Sequence, residues 1–229
     1  MPVLNPSVDG RIASVVSPSH AGARDATSGT FNASTSRYSD AIKYSKVAGF
    51  RGNTFSVNRY FIEFDTSGIS VTPADAELSL RGFSENSADF FAVKANFSDG
   101  SIANADFDSI VGWTAGADNS SNVTKYSAEV ETFSTSAFND IALNSTALSD
   151  IASVDNFKIC LIQAENDLAN VEATGTAKTG FFRTGFTIHI DYTEGTAGYS
   201  HKVLGVAAGS IGKINGVATA NVGKVIGVD

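Results

Sequence analysis

Cysteine is almost absent from this 229-residue chain, and that limits the chemistry that the chain can support. Cys160 is the single cysteine, so no disulfide can form within the chain and no multi-cysteine site can hold a metal. It lies in the apolar run FKICLI, which predicts a small side chain in a core strand.

Charge is also scarce, since charged residues make up 17% of the chain, where about a quarter is usual. The net charge is −8 and no run is rich in Lys or Arg, so we expect no nucleic-acid partner. No stretch approaches about 18 apolar residues, so we expect no membrane insertion.

The N-terminus, MPVLNPSVDG, has neither a basic start nor an apolar run, so we expect no signal peptide. The surface composition, rich in Ser, Thr, Asn, Gly and Ala, is nevertheless common in extracellular β-sandwich proteins. A virus-particle protein, made in the host cytoplasm and released by lysis, fits both observations. A protein exported by a specialised system fits them too.

Five segments alternate apolar and polar residues with period two, which predicts half-buried strands. They are RYFIEF (59–64), AELSL (76–80), FAVKANF (91–97), FKICL (157–161) and FTIHIDY (186–192). In the last of them the inward side chains are predicted to be Phe186, Ile188, Ile190 and Tyr192, and the outward ones Thr187, His189 and Asp191.

Turn and helix signals complete the prediction of an all-β fold. Turns are predicted at 65–68 and 99–100, and a polar loop at 112–122 around Trp113. One short helix is predicted after a cap at Asn144 or Ser145, with Leu148, Ile151 and Ala152 on its apolar face. Residues 1–195 are therefore predicted to form an antiparallel β-sandwich or jelly roll, and 196–229 a separate tail.

Part of this pattern resembles the DNRLRE-type jelly-roll domains, whose hallmark is an Arg-x-x-x-x-Phe-Asp strand, a turn and an Ala-x-Leu-x-Leu strand. The matching positions are Arg59, Phe64, Asp65, Ala76, Leu78 and Leu80. FNDIALNSTALSDI resembles the strand and short helix of that family, and FTIHIDYT its closing strand, so the likeness covers roughly residues 8–193. It implies a fold similar to carbohydrate-binding modules, found in bacterial surface proteins and viruses, and no fixed ligand site.

Three near-copies of one phrase close the chain: HKVLGVAAGSI, GKINGVATANV and GKVIGVD. Lys202, Lys213 and Lys224 consequently fall 11 residues apart, as expected when one structural unit is reused. Six glycines between 205 and 227 argue against a helix, because each costs about 1 kcal/mol in a helix interior. Each unit is predicted to be a short strand, such as 213–217, followed by a turn. These repeats resemble the tails of structural proteins in tailed bacteriophages.

Short repeat units bury little core by themselves, so the tail is expected to lie on the main domain or on other subunits. We predict contacts between subunits of a homo-oligomer, for instance a trimer. The predicted contact residues are the aliphatic ones of the tail: Val203, Val206, Ile211, Ile214, Val217, Val222, Val225 and Val228. The three lysines would then face solvent or pair with acidic groups of the body.

The polar residues give no catalytic, cofactor-binding or metal-binding pattern. His20, in a loop, His189 and His201 are far apart and lack metal-site or triad spacing. The loop aspartates Asp89, Asp106, Asp108 and Asp118 suit a glycosidase pair or a structural calcium ion, but loop aspartates more often form turns. Calcium therefore stays open as an alternative, and no cofactor is predicted.

Other polar and aromatic residues are assigned structural roles. Glu129 and Glu131 are predicted to meet solvent on one strand face, and Asp65 to form a turn. Arg59 is expected to reach a carboxylate on an adjacent strand. Trp113 can either plug the core or an edge loop, or stack on a sugar ring.

The sequence thus predicts a non-enzymatic structural protein of a virus particle, such as a capsid decoration or a component of a head or tail fibre, with other virion proteins as partners. The alternative is a carbohydrate-binding or adhesive module that recognises cell-surface glycans. A glycan-active enzyme ranks third. Fold alone does not decide among them.

Overall fold

The computed structural model describes residues 2–86 and 89–195, and the backbone of two short strands at 213–214 and 217–218. The strands are β1 (Val3–Leu4), β2 (Pro6–Ser14), β3 (Gly29–Asn32), β4 (Ile42–Gly49), β5 (Gly52–Asp65), β6 (Asp75–Asn86), β7 (Phe90–Lys94), β8 (Phe138–Ala142), β9 (Asn156–Gln163), β10 (Thr176–Phe181), β11 (Ile188–Thr193), β12 (Lys213–Ile214) and β13 (Val217–Ala218). The helices are α1 (His20–Arg24), α2 (Ser145–Ile151), a 3-10 helix (Asn104–Asp108) and a π-helix (Ala164–Leu168).

The first eleven strands form one antiparallel sheet that folds over itself through β6. Up to Arg81, β6 pairs with β11 on one edge and β8 on the other. From Gly82 onward it pairs with β10, which continues through β4 to β5. Strand β5 then pairs with β2 and β9. The all-β antiparallel sandwich predicted from the sequence is confirmed.

The first hydrophobic core lies between the two halves of the sandwich. It contains the side chains that alternation assigned to one face of each strand, among them Tyr60, Ile62, Phe64, Leu78, Leu80, Phe157, Ile159, Leu161, Ile188 and Ile190. Each fully buried large side chain contributes roughly 1.5–3 kcal/mol. The predicted inward faces of 59–64, 76–80 and 157–161 are therefore confirmed.

A second core lies on the other side of β5 and β9. It includes Phe61, Val93, Phe97 and Cys160, and α1, the 3-10 helix and the loops up to Val123 cover it. Because β5 is buried on both faces, its sequence reads as a nearly continuous apolar run. Cys160 is fully buried as predicted, and this burial raises the pKa of its thiol.

Two local predictions need correction. Phe186 does not point inward: strand β11 begins only at Ile188, and the Phe186 side chain is 72% exposed. It follows Gly185, whose φ of +75° turns the chain before the strand starts. His20, assigned to a loop, instead begins α1, in which the Ser19 side chain accepts a hydrogen bond from the backbone N–H of Gly22. Two short α-helices, α1 and α2, are therefore found within residues 2–86 and 89–195, where the sequence predicted one.

Helix α2 begins where the sequence placed it. The Asn144 side chain caps it by accepting hydrogen bonds from the backbone N–H groups of Thr146 and Ala147. Ala147 and Ile151 are buried against the first core, and Leu148 packs beside them. The turn at 65–68 also forms, because the Asp65 carboxylate accepts a hydrogen bond from the Ser67 backbone N–H at 3.0 Å.

The repeat tail departs from its predicted form where it is described. Strands β12 and β13 pair with each other in antiparallel fashion, with Ile214 opposite Val217. The prediction of a single strand over 213–217 is therefore wrong, because Lys213–Ile214 and Val217–Ala218 are two separate strands that pair with each other. Of the eight predicted subunit contacts, Ile214 and Val217 lie in these strands, of which only the backbone is described. The other six lie outside the described residues, so subunit contact stays a prediction.

Candidate functional site

A fully buried ion pair joins Arg59 of β5 to Asp167 of the π-helix that follows β9. Arg59 Nε donates to Asp167 Oδ2 at 2.8 Å and Nη2 donates to Oδ1 at 2.7 Å. Arg59 Nη1 also donates to the Phe107 carbonyl at 2.8 Å. The sequence predicted that Arg59 reaches a carboxylate on an adjacent strand. Arg59 does bind a carboxylate, but Asp167 lies in the π-helix after strand β9 rather than in the strand itself.

A second buried arginine, Arg24 of α1, completes this cluster. Its Nε donates to the Asp167 carbonyl at 2.5 Å and its Nη2 to the Ala117 carbonyl at 2.7 Å. Trp113 lies over both guanidinium groups, with 4.0 Å from its ring centroid to Arg59 Cζ and 4.5 Å to Arg24 Cζ. Trp113 therefore packs at the edge of the second core, the first of its two predicted roles. The cluster fastens α1 and the covering loops to the sheet.

Two of the four loop aspartates considered for calcium or catalysis form local hydrogen bonds through their carboxylates. Asp106 Oδ2 accepts from the Ala103 backbone N–H at 2.7 Å and caps the 3-10 helix. Asp118 accepts from the Ser120 backbone N–H at 2.8 Å, and hydrogen bonding by Ser120 lowers its pKa. Within residues 2–86 and 89–195, no three His, Cys, Asp or Glu side chains are grouped so as to hold a metal ion.

Both described histidines have partners at each ring nitrogen. His20 shares hydrogen bonds with Tyr44 Oη at 2.5 Å and Asn170 Oδ1 at 2.8 Å. His189 Nε2 lies 3.1 Å from Asp191 Oδ2, and its Nδ1 lies 3.1 Å from the Phe186 carbonyl. The two rings belong to separate hydrogen-bond groups, while His201 lies outside the described residues.

Three surfaces remain as candidates for contact with a partner, and the first is the outer edge of β8. The Leu143 N–H donates to the Ala76 carbonyl at 2.9 Å and the Gly82 N–H to the Ala137 carbonyl at 3.1 Å. Because backbone groups alternate along an antiparallel strand, Phe138 and Asp140 direct their N–H and C=O groups away from β6. Across the described chain, no backbone hydrogen bond occupies this side of Phe138 and Asp140.

The segment 128–132 runs beside this edge without pairing to it. It is joined to β8's end by the bridge between Ser127 and Leu143, and held on its far side by two bonds between Val130 and Phe90, of 2.9 and 3.3 Å. An open groove of about 380 Å³ lies between 128–132 and 139–142. We call it the β8 groove.

The β8 groove has an apolar inner side and an acidic outer side. Val130 and Ile141 face the first core, whereas Glu129 and Glu131 are exposed, as predicted from the sequence. Partial desolvation of its carboxyl group raises the pKa of Glu129, and the nearby Asp89 and Glu131 carboxylates raise it further. Negative charge is thus concentrated beside an unpaired strand edge.

The second surface is the tip of the hairpin between β4 and β5. All eight residues from 47 to 54 are exposed, and the Phe50 ring at the tip is fully exposed. Gly52, with φ of +115°, allows the tight reversal. The exposed Val47 side chain lies on the same hairpin, so the tip presents two apolar side chains to solvent.

The third surface is a groove of about 320 Å³ whose lining includes Asn5, Asp9, Arg183 and Phe186. Arg183 Nε donates to Asp9 Oδ2 at 2.7 Å, and Tyr60 Oη donates to the same carboxylate. The exposed ring of Phe186 stands at the rim of this groove. A carboxylate, a guanidinium and an aromatic ring together suit the hydroxyl groups and apolar face of a sugar.

Comparison with known proteins leaves the function to be argued from these surfaces. No protein-family model matches the chain, and no curated protein matches it. Among the residues described, no helix has the length and apolar character needed to cross a bilayer.

Proposed function

We propose that the chain is a non-enzymatic structural protein of a virus particle, in which a rigid β-sandwich is held to neighbouring copies by its repeat tail. The observation that carries the proposal is the threefold, 11-residue repeat attached to the sandwich. A repeat offers the same contact several times, which suits assembly better than catalysis. Capsid decoration or a place in a head or tail fibre are the expected roles.

The arrangement of the body supports this proposal. Its most elaborate polar cluster, around Arg59 and Asp167, binds covering loops to the sheet and has no solvent exposure at either side chain. Asp106, one of the four loop aspartates considered for catalysis, caps a 3-10 helix. These groups stabilise a rigid scaffold that presents its edges and hairpin tip to partners.

A particle-fractionation experiment tests the proposal. Culture lysate containing the protein is separated on a density gradient, and the fractions are probed with an antibody against the sandwich. The protein should sediment with intact particles and label their surface in electron micrographs. Recovery only in particle-free fractions would contradict the proposal.

The groove beside Phe186 favours carbohydrate binding as the second candidate function. Its Asp9–Arg183 ion pair and exposed ring give it the chemistry of a sugar site. On a glycan array, binding that is lost in Phe186→Ala and retained in Phe50→Ala would support this alternative, because both rings are exposed and only Phe186 lines the groove. Absence of specific glycan binding would remove it.

A further inference from the structure

An unpaired strand edge recruits another strand unless something covers or blocks it. Edges are commonly protected by charge, a proline or a covering loop. The β8 groove is bordered by the carboxylates of Glu129, Glu131 and Asp140, and it is wide enough to hold side chains. The Asp140 carboxylate also accepts a hydrogen bond from the Ser79 hydroxyl. Acidic groups repel a second copy of the same edge but attract a strand that carries lysine.

We propose that the β8 groove binds one repeat unit from the tail of a neighbouring copy, as an added strand beside β8. This inference rests on the proposed assembly role of the tail and names its acceptor. The backbone of the added strand pairs with the free N–H and C=O groups of Phe138 and Asp140.

The lysine and the aliphatic residue of each repeat unit match the acidic and the apolar side of the β8 groove. Each unit has Lys at its second position, followed by Val or Ile, and adjacent side chains in a strand point to opposite faces. Lys213 would lie on the side of Glu129 and Glu131, and Ile214 on the side of Val130. Lys213 and Ile214 already lie in strand β12, and because β12 pairs with β13, it would meet β8 through its other edge.

Electrostatics favours the same occupant. Glu129 lies among Asp89, Glu131 and Glu165, and the like charges raise the pKa of Glu129 beyond the effect of partial desolvation. The positive charge of Lys125 offsets part of this repulsion. Lys125 Nζ lies 4.1 Å from the centroid of the Phe91 ring. A lysine of the tail would relieve more of it.

The number of repeat units indicates a neighbouring copy rather than the same chain. Every chain has three repeat units and a single β8 groove. At least two units therefore remain free for the grooves of other copies. When each copy gives a tail unit to the groove of another copy, all copies are joined by the same tail-to-groove contact.

A charge-exchange experiment on the full chain tests the proposal. One variant has Lys202→Glu, Lys213→Glu and Lys224→Glu, and the other has Glu129→Lys, Glu131→Lys and Asp140→Lys. Each variant alone should have the mass of a monomer by light scattering, because tail and groove then carry the same charge. A mixture of the two should recover the mass of the wild-type assembly, because each groove then meets a tail of opposite charge.

The matched control for the groove variant replaces three exposed carboxylates outside the β8 groove. Its substitutions, Asp75→Lys, Asp155→Lys and Glu194→Lys, change the net charge by the same amount. This control should assemble like the wild type. If the groove variant also assembles like the wild type, or if mixing restores nothing, the acceptor is wrong even where the tail is needed for assembly. If the wild type itself is a monomer, the proposed assembly role fails instead.

Disulfide trapping gives a second readout that does not depend on charge. Cys160 is fully buried, so cysteines introduced on the surface report their own proximity. On oxidation, Lys213→Cys combined with Glu131→Cys should give disulfide-linked dimers and larger species on a denaturing gel, whereas Lys213→Cys with Asp75→Cys should give no disulfide-linked species. A disulfide confined to single chains would show that the tail folds onto its own body and would overturn the proposal.

Discussion

Arg59 and Asp167 form a two-bond ion pair in which neither side chain is exposed to solvent. Arg24 closes the same cluster from α1 through the Asp167 carbonyl. This arrangement connects the central strand β5, the π-helix and the cover of the second core. The rigidity of the body therefore depends on a few buried polar contacts as well as on its two apolar cores.

Removing the carboxylate should strongly destabilise the fold. Asp167→Asn leaves the Arg59 guanidinium buried without its counter-charge, and breaking such a pair costs about 3–5 kcal/mol of unfolding free energy. Chemical denaturation monitored by circular dichroism measures it. Glu172→Gln is the control, since Glu172 pairs with Lys46 at the surface and its loss should have a much smaller effect. Equal losses in both variants would contradict the structural role of the buried pair.

Gly82 is expected to tolerate no side chain. A Cβ there would lie 1.8 Å from the Ser134 carbonyl oxygen, at the place where β6 passes between the halves of the sandwich. Gly82→Ala should therefore lower the unfolding free energy by about 2 kcal/mol, as overpacking typically does. Gly68→Ala, where the added Cβ meets nothing within 4 Å, should be neutral or stabilising by up to about 1 kcal/mol. Thermal unfolding of the two variants compares them directly.

Asp106 should behave as a helix cap. Asp106→Ala removes the acceptor for the Ala103 N–H and should cost about 1 kcal/mol. Asp106→Asn keeps an acceptor oxygen, so most of that stability should return. A polysaccharide-turnover assay of the wild type and both variants supplies the second readout. Turnover by the wild type that disappears in Asp106→Asn would show a catalytic carboxylate and refute the non-enzymatic account.

The β8 groove should leave a signature in the pH dependence of stability. The pKa of Glu129 is raised by partial desolvation and by Asp89, Glu131 and Glu165, against the opposing charge of Lys125. The folded state then holds this proton more tightly than the unfolded state does, so stability falls as pH rises from the ordinary Glu pKa through the raised one. Glu129→Gln should consequently be more stable than the wild type at pH 7 and equal to it near pH 3.

Glu172→Gln should change the pH dependence of stability in the opposite direction to Glu129→Gln. Hydrogen bonding from Lys46 lowers the pKa of Glu172, so its contribution is present above the ordinary Glu pKa and is lost as pH falls. This variant should be less stable than the wild type at pH 7, and the difference should vanish in acid. Denaturation curves at a series of pH values that show the same sign for both variants would contradict the electrostatic account of the groove.

Much of the sandwich could be predicted because the alternation of apolar and polar residues indicates which face of each strand is buried. Ile62, Leu78 and Ile159 are where the pattern places them. Phe186 was misassigned because the alternation of apolar residues starts at Phe186, whereas the positive φ of Gly185 turns the chain there and strand β11 starts only at Ile188. Arg24 was missed because an arginine in a five-residue helix reads as exposed, and its partner Asp167 is 143 residues away.

The β8 groove had no sequence signal of its own. Glu129 and Glu131 were expected to face solvent, and they do. The open edge beside them arises because Val130 bonds to Phe90 instead of to β8. Val130 can form backbone hydrogen bonds with either Phe90 or β8. The alternation of nearby side chains does not specify which of the two it pairs with.

The central claim is that the repeat tail assembles the protein, and the molar mass of a truncated chain tests it most directly. The full chain and a chain ending at residue 199 are compared by size-exclusion chromatography with multi-angle light scattering. We predict that the full chain is an oligomer, and that the truncated chain is a monomer with an unchanged circular dichroism spectrum. An assembly of the same size formed by the folded, truncated chain would contradict the account.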